Sequence, residues 1–210
     1  MEEFLKKIKE NFEIGEPIFT NEILALFDLS KQRTMELLKK CIDNGDIKKI
    51  ERGTYFIPKY EKGELYGYKY ETDNAPNYIA IINKRYRGNK KGEVYGIDDG
   101  MVLENRLHLT KQVPSVHLLV SNNTKKQYKK IKVLGEEVEV RKPYTKITKD
   151  NYKEYEVLQA LNVLKDIRKQ EIDRLKEDIR KEHKNKRIMR ELLPYFPKRV
   201  QHRVEKYEVL

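Results

Sequence analysis

Residues 28–58 read DLSKQRTMELLKKCIDNGDIKKIERGTYFIP, and they predict one helix followed by two short strands, at 47–50 and 54–57. Ser30 is a strong N-cap, since a serine hydroxyl accepts a hydrogen bond from the backbone N–H groups of a helix's first turn. Asn44–Gly45 ends the helix, because glycine adopts the left-handed cap conformation without strain. The apolar face of this helix is expected to carry Met35, Leu38, Cys41 and Ile42.

Two shorter helices are predicted before this segment. Residues 4–12 show helical spacing of apolar side chains at Leu5, Ile8 and Phe12. A second helix is predicted over 22–27, with Thr20 as its N-cap, and the short turn 28–30 joins it to the third helix. Three helices followed by a β-hairpin within about 60 residues are typical of a winged helix-turn-helix domain.

The rest of the chain mixes helices and strands, so the predicted fold class is α+β. We expect a winged helix-turn-helix domain over 1–60, a connector at 61–75, an α+β domain over 76–150, and a helical extension over 151–210 packing on it. Within the α+β domain the patterns predict a helix through 78–86, a strand at 93–96, a helix at 101–107, a strand at 115–121, and a hairpin pairing 131–134 with 138–140 across a turn at 135–137.

The third helix carries the predicted DNA contacts. In a helix-turn-helix the recognition helix enters the major groove, and its N-terminal side chains reach the base edges. Arginine pairs with guanine and glutamine with adenine, while a helix N-terminus and lysines on the hairpin hold phosphates. The predicted contacts are Ser30, Lys31, Gln32, Arg33 and Thr34 on the helix, and Lys48, Lys49 and Arg52 on the hairpin. The expected partner is double-stranded DNA.

The charge distribution keeps a second interpretation open. Residues 1–60 hold 11 basic and 11 acidic side chains, so the predicted DNA-binding domain has no net charge. A winged helix can also serve as a protein-interaction module, and a neutral domain favours that alternative. Residues 28–58, however, contain seven basic and five acidic side chains, so the half of the domain expected to contact DNA is mildly basic.

The composition excludes several classes of protein and places basic clusters outside the first domain. The 210 residues carry a net charge of +11, as expected for a protein with an anionic partner. Cys41 is the single cysteine, which excludes an internal disulfide. No apolar stretch approaches the length of a membrane span, and Met1-Glu2-Glu3 does not resemble a signal peptide, so we expect a cytoplasmic protein without a membrane partner. Two basic clusters stand out as candidate phosphate or partner contacts: Lys84, Arg85, Arg87, Lys90 and Lys91, and then Lys125, Lys126, Lys129, Lys130 and Lys132.

Two blocks of sequence resemble a known family. The first is Arg52-Gly53-Thr54-Tyr55-Phe56-Ile57-Pro58, which is similar to the wing of AbiEi-type antitoxins. The second block has three parts. Its tyrosine–glycine segment is Tyr95-Gly96, and its helix carries Leu103, Asn105 and Leu107. Its threonine–glutamine–proline turn lies in Leu109-Thr110-Lys111-Gln112-Val113-Pro114. The resemblance spans about residues 1–145, and His108 departs from it where we expect a small residue.

This resemblance implies an antitoxin of a type IV toxin–antitoxin or abortive-infection system. Such a protein binds operator DNA through its winged helix and represses its own promoter, while its C-terminal domain counters a nucleotidyltransferase toxin without requiring a stable complex. A transcription factor without a toxin partner remains an alternative, because the sequence does not separate the two.

The motif search predicts no enzyme, metal site or cofactor. Metal-dependent nucleases of the restriction type use one acid, then an acid-x-lysine on a strand, and the nearest counterparts here are Asp98, Asp99 and Glu139-Val140-Arg141. Arg141 stands where the lysine would be, and arginine keeps its proton at neutral pH, which makes a nuclease the less favoured alternative. The four histidines show no metal-ligand spacing, and His117 is interpreted as a hydrogen-bonded residue of an apolar strand.

Overall fold

The protein is a mixed α+β chain that divides into two compact units. The computed structural model describes residues 1–65, 68–112, 114–164 and 168–210, with only the backbone at 61–65 and 68–71; Val113, part of the second motif block, lies outside the described residues. Unit 1 comprises Met1–Ile81 and unit 2 comprises Ile82–Leu210. Among the described helices, none combines the length and the apolar character needed to cross a bilayer.

Unit 1 begins with three helices and a small antiparallel sheet. Its first elements are α1 (Glu2–Asn11), β1 (Ile18–Phe19), α2 (Thr20–Leu26), α3 (Lys31–Asp43), β2 (Lys48–Glu51) and β3 (Thr54–Phe56). β3 is the central strand and pairs antiparallel with both β1 and β2. The core of this unit is formed by Phe4, Ile8, Ile18, Ile23, Leu38, Cys41, Ile47, Tyr55 and Ile57. The three predicted helices and both predicted strands are therefore present.

The predicted caps of α3 are confirmed, while the predicted cap of α2 is wrong. The Ser30 hydroxyl accepts a hydrogen bond from the backbone N–H of Arg33 (3.2 Å), and Gly45 follows α3 with φ +79°. At α2 the N-cap is Phe19, one residue before Thr20, which is already helical. The Glu22 carboxylate accepts from the Phe19 N–H (2.8 Å), so an acidic side chain satisfies this helix end instead of the threonine hydroxyl.

Part of the predicted connector is ordered as a β-ribbon. β4 (Glu61–Leu65) and β5 (Tyr68–Thr72) pair antiparallel, with Glu61 opposite Thr72. The glycines at 63 and 67 favoured a linker, but tyrosine and threonine have high β-propensity, and pairing satisfies the backbone of both strands. A short helix, α4 (Tyr78–Ile82), follows and continues into a π-helical turn, Asn83–Arg87.

Unit 2 contains a four-stranded sheet and the C-terminal helices. Its elements are β6 (Gly96–Asp98), α5 (Gly100–Arg106), β7 (His117–Ser121), β8 (Tyr128–Val133), β9 (Glu136–Arg141), α6 (Tyr152–Val163), α7 (Lys169–Lys181), α8 (Lys186–Leu192), a 3₁₀ turn (Leu193–Tyr195) and α9 (Lys198–Lys206). The strand order is β6-β7-β9-β8, and β7 and β9 are parallel whereas the other pairs are antiparallel.

Several strand boundaries in unit 2 differ from the predictions, since β7 begins at His117 rather than 115 and β8 at Tyr128 rather than 131. The strand expected at 93–96 begins only at Gly96, and Val94 forms an isolated bridge with Gly88 instead. The β8–β9 turn is Leu134–Gly135 rather than 135–137, and both residues have positive φ, +52° and +88°. Positive φ at both central positions is the geometry that two-residue hairpins prefer, because its twist matches that of the strands.

α6 is the central helix of unit 2. Nine consecutive residues, Glu154–Asn162, are buried, so the helix is covered on all sides. One core joins it to the sheet and to the other C-terminal helices through side chains that include Ile97, Val120, Leu158, Leu161, Ile172, Leu175, Met189, Val200 and Val204. The helices after residue 151 thus share a core with strands β6 and β7.

Candidate nucleic-acid interface

The N-terminal turn of α3 presents three polar side chains to solvent. Lys31, Gln32 and Arg33 are exposed, and Leu29 in the preceding turn is 45% exposed. Ser30 fixes the start of the helix, so the direction of these side chains is set by backbone hydrogen bonds. The residues predicted to read bases are therefore brought together on one accessible surface.

Glu36 ties two of these side chains together. The Arg33 guanidinium lies 3.2 Å from one Glu36 carboxylate oxygen, and the Gln32 amide donates to the other, also at 3.2 Å. The hydrogen bond from Arg33, followed by that from Gln32, lowers the pKa of Glu36. Exposed ion pairs of this kind are weak and exchange readily, so Arg33 and Gln32 can leave Glu36 for stronger acceptors.

Thr34 does not belong to the accessible surface. Its side chain is fully buried, and its hydroxyl donates to the Ser30 carbonyl (3.1 Å). Thr34 lies four residues before Leu38 and seven before Cys41, which places it on the core face of α3. The prediction that Thr34 contacts DNA is therefore not supported by its position.

The β2–β3 hairpin carries the second group of predicted contacts. Lys48 is held by a 2.8 Å ion pair with Asp73, and its ammonium lies 4.8 Å from the centre of the Tyr60 ring. The hydrogen bond that Lys48 donates to the Asp73 carboxylate raises the pKa of Lys48. Lys49 and Arg52 are exposed and form no ion pair with any carboxylate that the structure describes. These two cations are better placed than Lys48 to contact phosphates.

A glycine shapes the tip of this hairpin. Gly53 has φ +79°, a conformation that side chains with a Cβ rarely adopt, and an added Cβ would lie 3.3 Å from the Thr20 hydroxyl. The Gly53 carbonyl also accepts a hydrogen bond from the Thr20 backbone N–H (3.1 Å). The glycine of the wing-like sequence block thus holds Arg52 at a tight turn fastened to the start of α2.

Several members of the basic clusters in unit 2 are engaged inside the unit. Arg87 lies 3.4 Å from an Asp98 oxygen, and Lys130 forms a 2.9 Å ion pair with Glu139. The Lys129 ammonium donates to the Tyr86 hydroxyl (2.9 Å). The exposed members that form no ion pair with a described carboxylate are Lys91, Lys125, Lys126 and Lys132. Lys84 and Arg85 are half-buried, and Lys90 is exposed.

Unit 2 also contains a buried ionic network that the sequence patterns did not reveal. Arg106 bridges two buried carboxylates, with its Nε 3.1 Å from Asp98 and its terminal nitrogen 2.5 Å from Glu156. The other oxygen of Asp98 faces His117 Nε2 at 3.3 Å, so His117 is hydrogen-bonded within the sheet as predicted. These contacts join β6, α5, β7 and α6 at one point of the unit.

The carboxylates of this network respond differently to burial. Burial opposes ionisation of Asp98, but the hydrogen bond from His117 and the charges of Arg87 and Arg106 outweigh it and lower its pKa. For Glu156 burial dominates and raises the pKa, although Arg106 partly offsets the shift. The partners of Asp98 thus favour its ionised form, whereas for Glu156 the charges of Arg106 and Lys184 only partly offset the effect of burial.

The residues of the nuclease alternative are paired with cations or amides. Gln159 donates to one oxygen of Asp99 (2.6 Å), and Arg141 lies 3.6 Å from the other. Glu139 is paired with Lys130, as described above. A divalent cation would have to displace these partners. Across the described residues, no three His, Cys, Asp or Glu side chains are grouped as metal ligands.

The second sequence block builds the frame of unit 2. The Tyr95 hydroxyl donates to the Lys84 carbonyl, and the Thr110 hydroxyl accepts from the Gln112 N–H (3.2 Å). His108 has φ +57°, a left-handed backbone conformation that favours glycine. Leu103 and Leu109 are buried in the core, as their apolar character predicts. No family model matches the chain, and a search of curated proteins finds no match, so the family resemblance remains a prediction.

Proposed function

We propose that unit 1 is a winged helix-turn-helix domain that binds double-stranded operator DNA and represses the protein's own promoter. The observation that carries this proposal is the exposed first turn of α3, with Lys31, Gln32 and Arg33 on one surface. The order of three helices and an antiparallel hairpin supports it, since α3 then corresponds to the recognition helix and the hairpin to the wing.

The contacts divide into base reading and phosphate binding. Arg33 is suited to the O6 and N7 acceptors of guanine, and Gln32 to adenine, because both side chains offer paired hydrogen-bonding atoms. The Ser30 end of α3, together with Lys31, Lys49 and Arg52, would hold the phosphate backbone. Lys48 supports the hairpin through Asp73 and contributes less. Because Thr34 is fully buried, the proposed contact set does not include it.

We further propose, from the family resemblance, that the protein is an antitoxin whose unit 2 counters a nucleotidyltransferase toxin. Repressing its own promoter would then set the amount of toxin and antitoxin together. A nucleotidyltransferase gene next to the gene of this protein, whose toxicity is relieved by unit 2, is the expected finding. A transcription factor without a toxin would show promoter binding and no such neighbour.

The central test is a pair of substitutions measured on two DNA duplexes. Arg33→Ala should lower affinity for the upstream operator by about tenfold to a hundredfold and affect random DNA less, because a base contact is lost. Lys49→Ala should weaken both duplexes alike and reduce the salt slope by about 0.9. Binding is measured by gel shift over a series of salt concentrations.

The alternative of a protein-interaction module predicts a different outcome. In that case the wild-type chain would bind its upstream DNA no better than random DNA, or would not bind DNA at all. Equal losses on both duplexes for Arg33→Ala would likewise contradict its assignment as a base contact.

Glu36→Gln should have the opposite effect to Arg33→Ala. The substitution keeps the shape of the side chain, removes one negative charge from the proposed DNA surface, and frees Arg33 from its ion pair. Affinity for both duplexes should rise about threefold at low salt, since phosphate repulsion falls. Glu10→Gln on α1, whose partner is Lys6, removes the same charge at an exposed position and is the matched control. Unchanged or weaker binding for Glu36→Gln would place α3 away from the DNA.

A further inference from the structure

Three separate segments of unit 2 meet at two asparagines after β7. Asn123 donates to the Arg85 carbonyl (3.0 Å), which fastens the loop after β7 to the π-helical turn. Asn122 donates to the Ile147 carbonyl (2.6 Å) and accepts from the Ile147 N–H (3.1 Å), which fastens the segment after β9. The chain pieces 83–92, 122–126 and 146–149 are therefore held together by side-chain to backbone hydrogen bonds.

Two tyrosines fix the π-helical turn within this arrangement. The Tyr95 hydroxyl donates to the Lys84 carbonyl. The Tyr86 hydroxyl accepts from Lys129 on β8, whose ammonium also lies 4.7 Å from the centre of the Tyr86 ring. The Tyr95 hydroxyl and the Asn123 amide thus donate to two carbonyls of this turn, those of Lys84 and Arg85, while Lys129 contacts the Tyr86 side chain. Such turns occur frequently at functional sites.

The joined segments carry an excess of positive charge. Their basic side chains, apart from Arg87, are Lys84, Arg85, Lys90, Lys91, Lys125, Lys126, Lys146 and Lys149, which we call the convergent basic surface. The adjoining acids are Glu93, which accepts from the Asn89 amide, and Asp150. Lys149 reaches the loop of Lys91, since its ammonium lies 3.5 Å from where a Cβ of Gly92 would stand.

Five of these lysines are available to a partner. Lys91, Lys125, Lys126, Lys146 and Lys149 are exposed. They form no ion pair within residues 1–65, 68–112, 114–164 and 168–210. Lys146 and Lys149 belonged to neither predicted cluster, because the sequence places them about 20 residues beyond Lys126.

We propose that the convergent basic surface binds the phosphate backbone of duplex DNA without reading its sequence. Exposed lysines on a fixed frame act as point charges for phosphates, whereas the centre of a protein–protein interface is depleted of lysine. Duplex DNA is the polyanion that the proposed function brings to this chain, so this inference rests on that function. The surface would add affinity to operator binding and no specificity.

The test removes three of the five available charges from the full-length chain. The triple variant Lys91→Ala, Lys125→Ala, Lys126→Ala is compared with Lys111→Ala, Lys186→Ala, Lys198→Ala, which removes the same charge from exposed positions of unit 2 outside the surface. Affinity is measured by fluorescence anisotropy with a 40-base-pair upstream duplex and a random duplex of equal length. Circular dichroism verifies that both variants are folded.

The proposal predicts that the surface variant loses roughly tenfold in affinity at about 0.1 M salt, equally on both duplexes, with a salt slope lower by about 2 to 3. The control variant should change either affinity by less than about twofold. An unchanged affinity and slope would overturn the proposal, as would a loss confined to the operator. A loss of binding to a structured RNA with DNA binding intact would assign the surface to RNA instead.

The design separates this inference from the proposed function of unit 1. If the wild-type chain prefers neither duplex but the surface variant still loses affinity, the proposal of operator recognition is contradicted and the proposal for the convergent basic surface is supported. If the operator is preferred and the surface variant binds as the wild type does, unit 1 stands and the surface proposal is wrong.

Discussion

Arg106→Met should destabilise unit 2 by about 3 to 5 kcal/mol, because it leaves two buried carboxylates without their shared cation. Arg106 contacts both Asp98 and Glu156, whose side chains are 3% and 6% exposed. Asp98 keeps Arg87 and His117, while Glu156 has no other ion-pair partner among the described residues. Methionine fills similar space and tests the charge rather than the volume. Urea unfolding followed by hydrogen exchange of peptides from α5 and α6 measures the loss within unit 2.

The loss caused by Arg106→Met should depend on pH. Glu156 already has a raised pKa in the folded protein, and removing Arg106 raises it further. A group whose folded pKa is raised stabilises the fold below its unfolded pKa and loses that contribution as the pH rises through the folded pKa. The variant should therefore be closer to the wild type at pH 5 than at pH 7.

Two controls define the outcome of this experiment. Arg187→Met removes an exposed pair with Glu191 and should leave the unfolding midpoint unchanged, since surface ion pairs contribute little. Arg106→Lys keeps one charge but not the bridging geometry, so it should lie between the wild type and Arg106→Met. A variant Arg106→Met that unfolds like the wild type at pH 7 would show that the network adds nothing to stability.

Local signals made unit 1 largely predictable from sequence. The serine cap, the Asn44–Gly45 end and the glycine of the hairpin act within a few residues, so the bounds of α3 and both strands follow from neighbours in the chain. The burial of Thr34 was predictable in the same way. Its spacing to Leu38 and Cys41 marks the core face, and the groove-facing interpretation overlooked that periodicity.

Contacts between distant residues were not predictable in the same way. Lys48 forms an ion pair with Asp73, which lies 25 positions away in the sequence. No residue near Lys48 in the sequence indicates this pair. The convergent basic surface likewise depends on hydrogen bonds from Asn122 and Asn123 to chain segments 25 and 38 positions away. Charge runs show which segments are basic. Only the tertiary fold shows which of these segments lie together and which of their charges already form ion pairs within the chain.

Gly96→Ala should unfold or strongly destabilise unit 2, with a loss of about 3 kcal/mol or more. A Cβ at this position would stand 1.9 Å from the Tyr86 carbonyl oxygen and 2.7 Å from that of Val120. Both neighbours are backbone, so neither can rotate away as a side chain would. The π-helical turn or strand β7 must shift, and the hydrogen bonds of Tyr95 and Asn123 to that turn would be strained with it.

Gly135→Ala is the matched control for this substitution. Gly135 has φ +88° and no atom within 4 Å of an added Cβ. The substitution therefore strains only the backbone conformation and should lower the free energy of unfolding by about 1 kcal/mol. Thermal unfolding by circular dichroism ranks the two variants. If Gly96→Ala lowers the unfolding temperature no more than Gly135→Ala does, β6 does not lie as close to the Tyr86 carbonyl as in this structure.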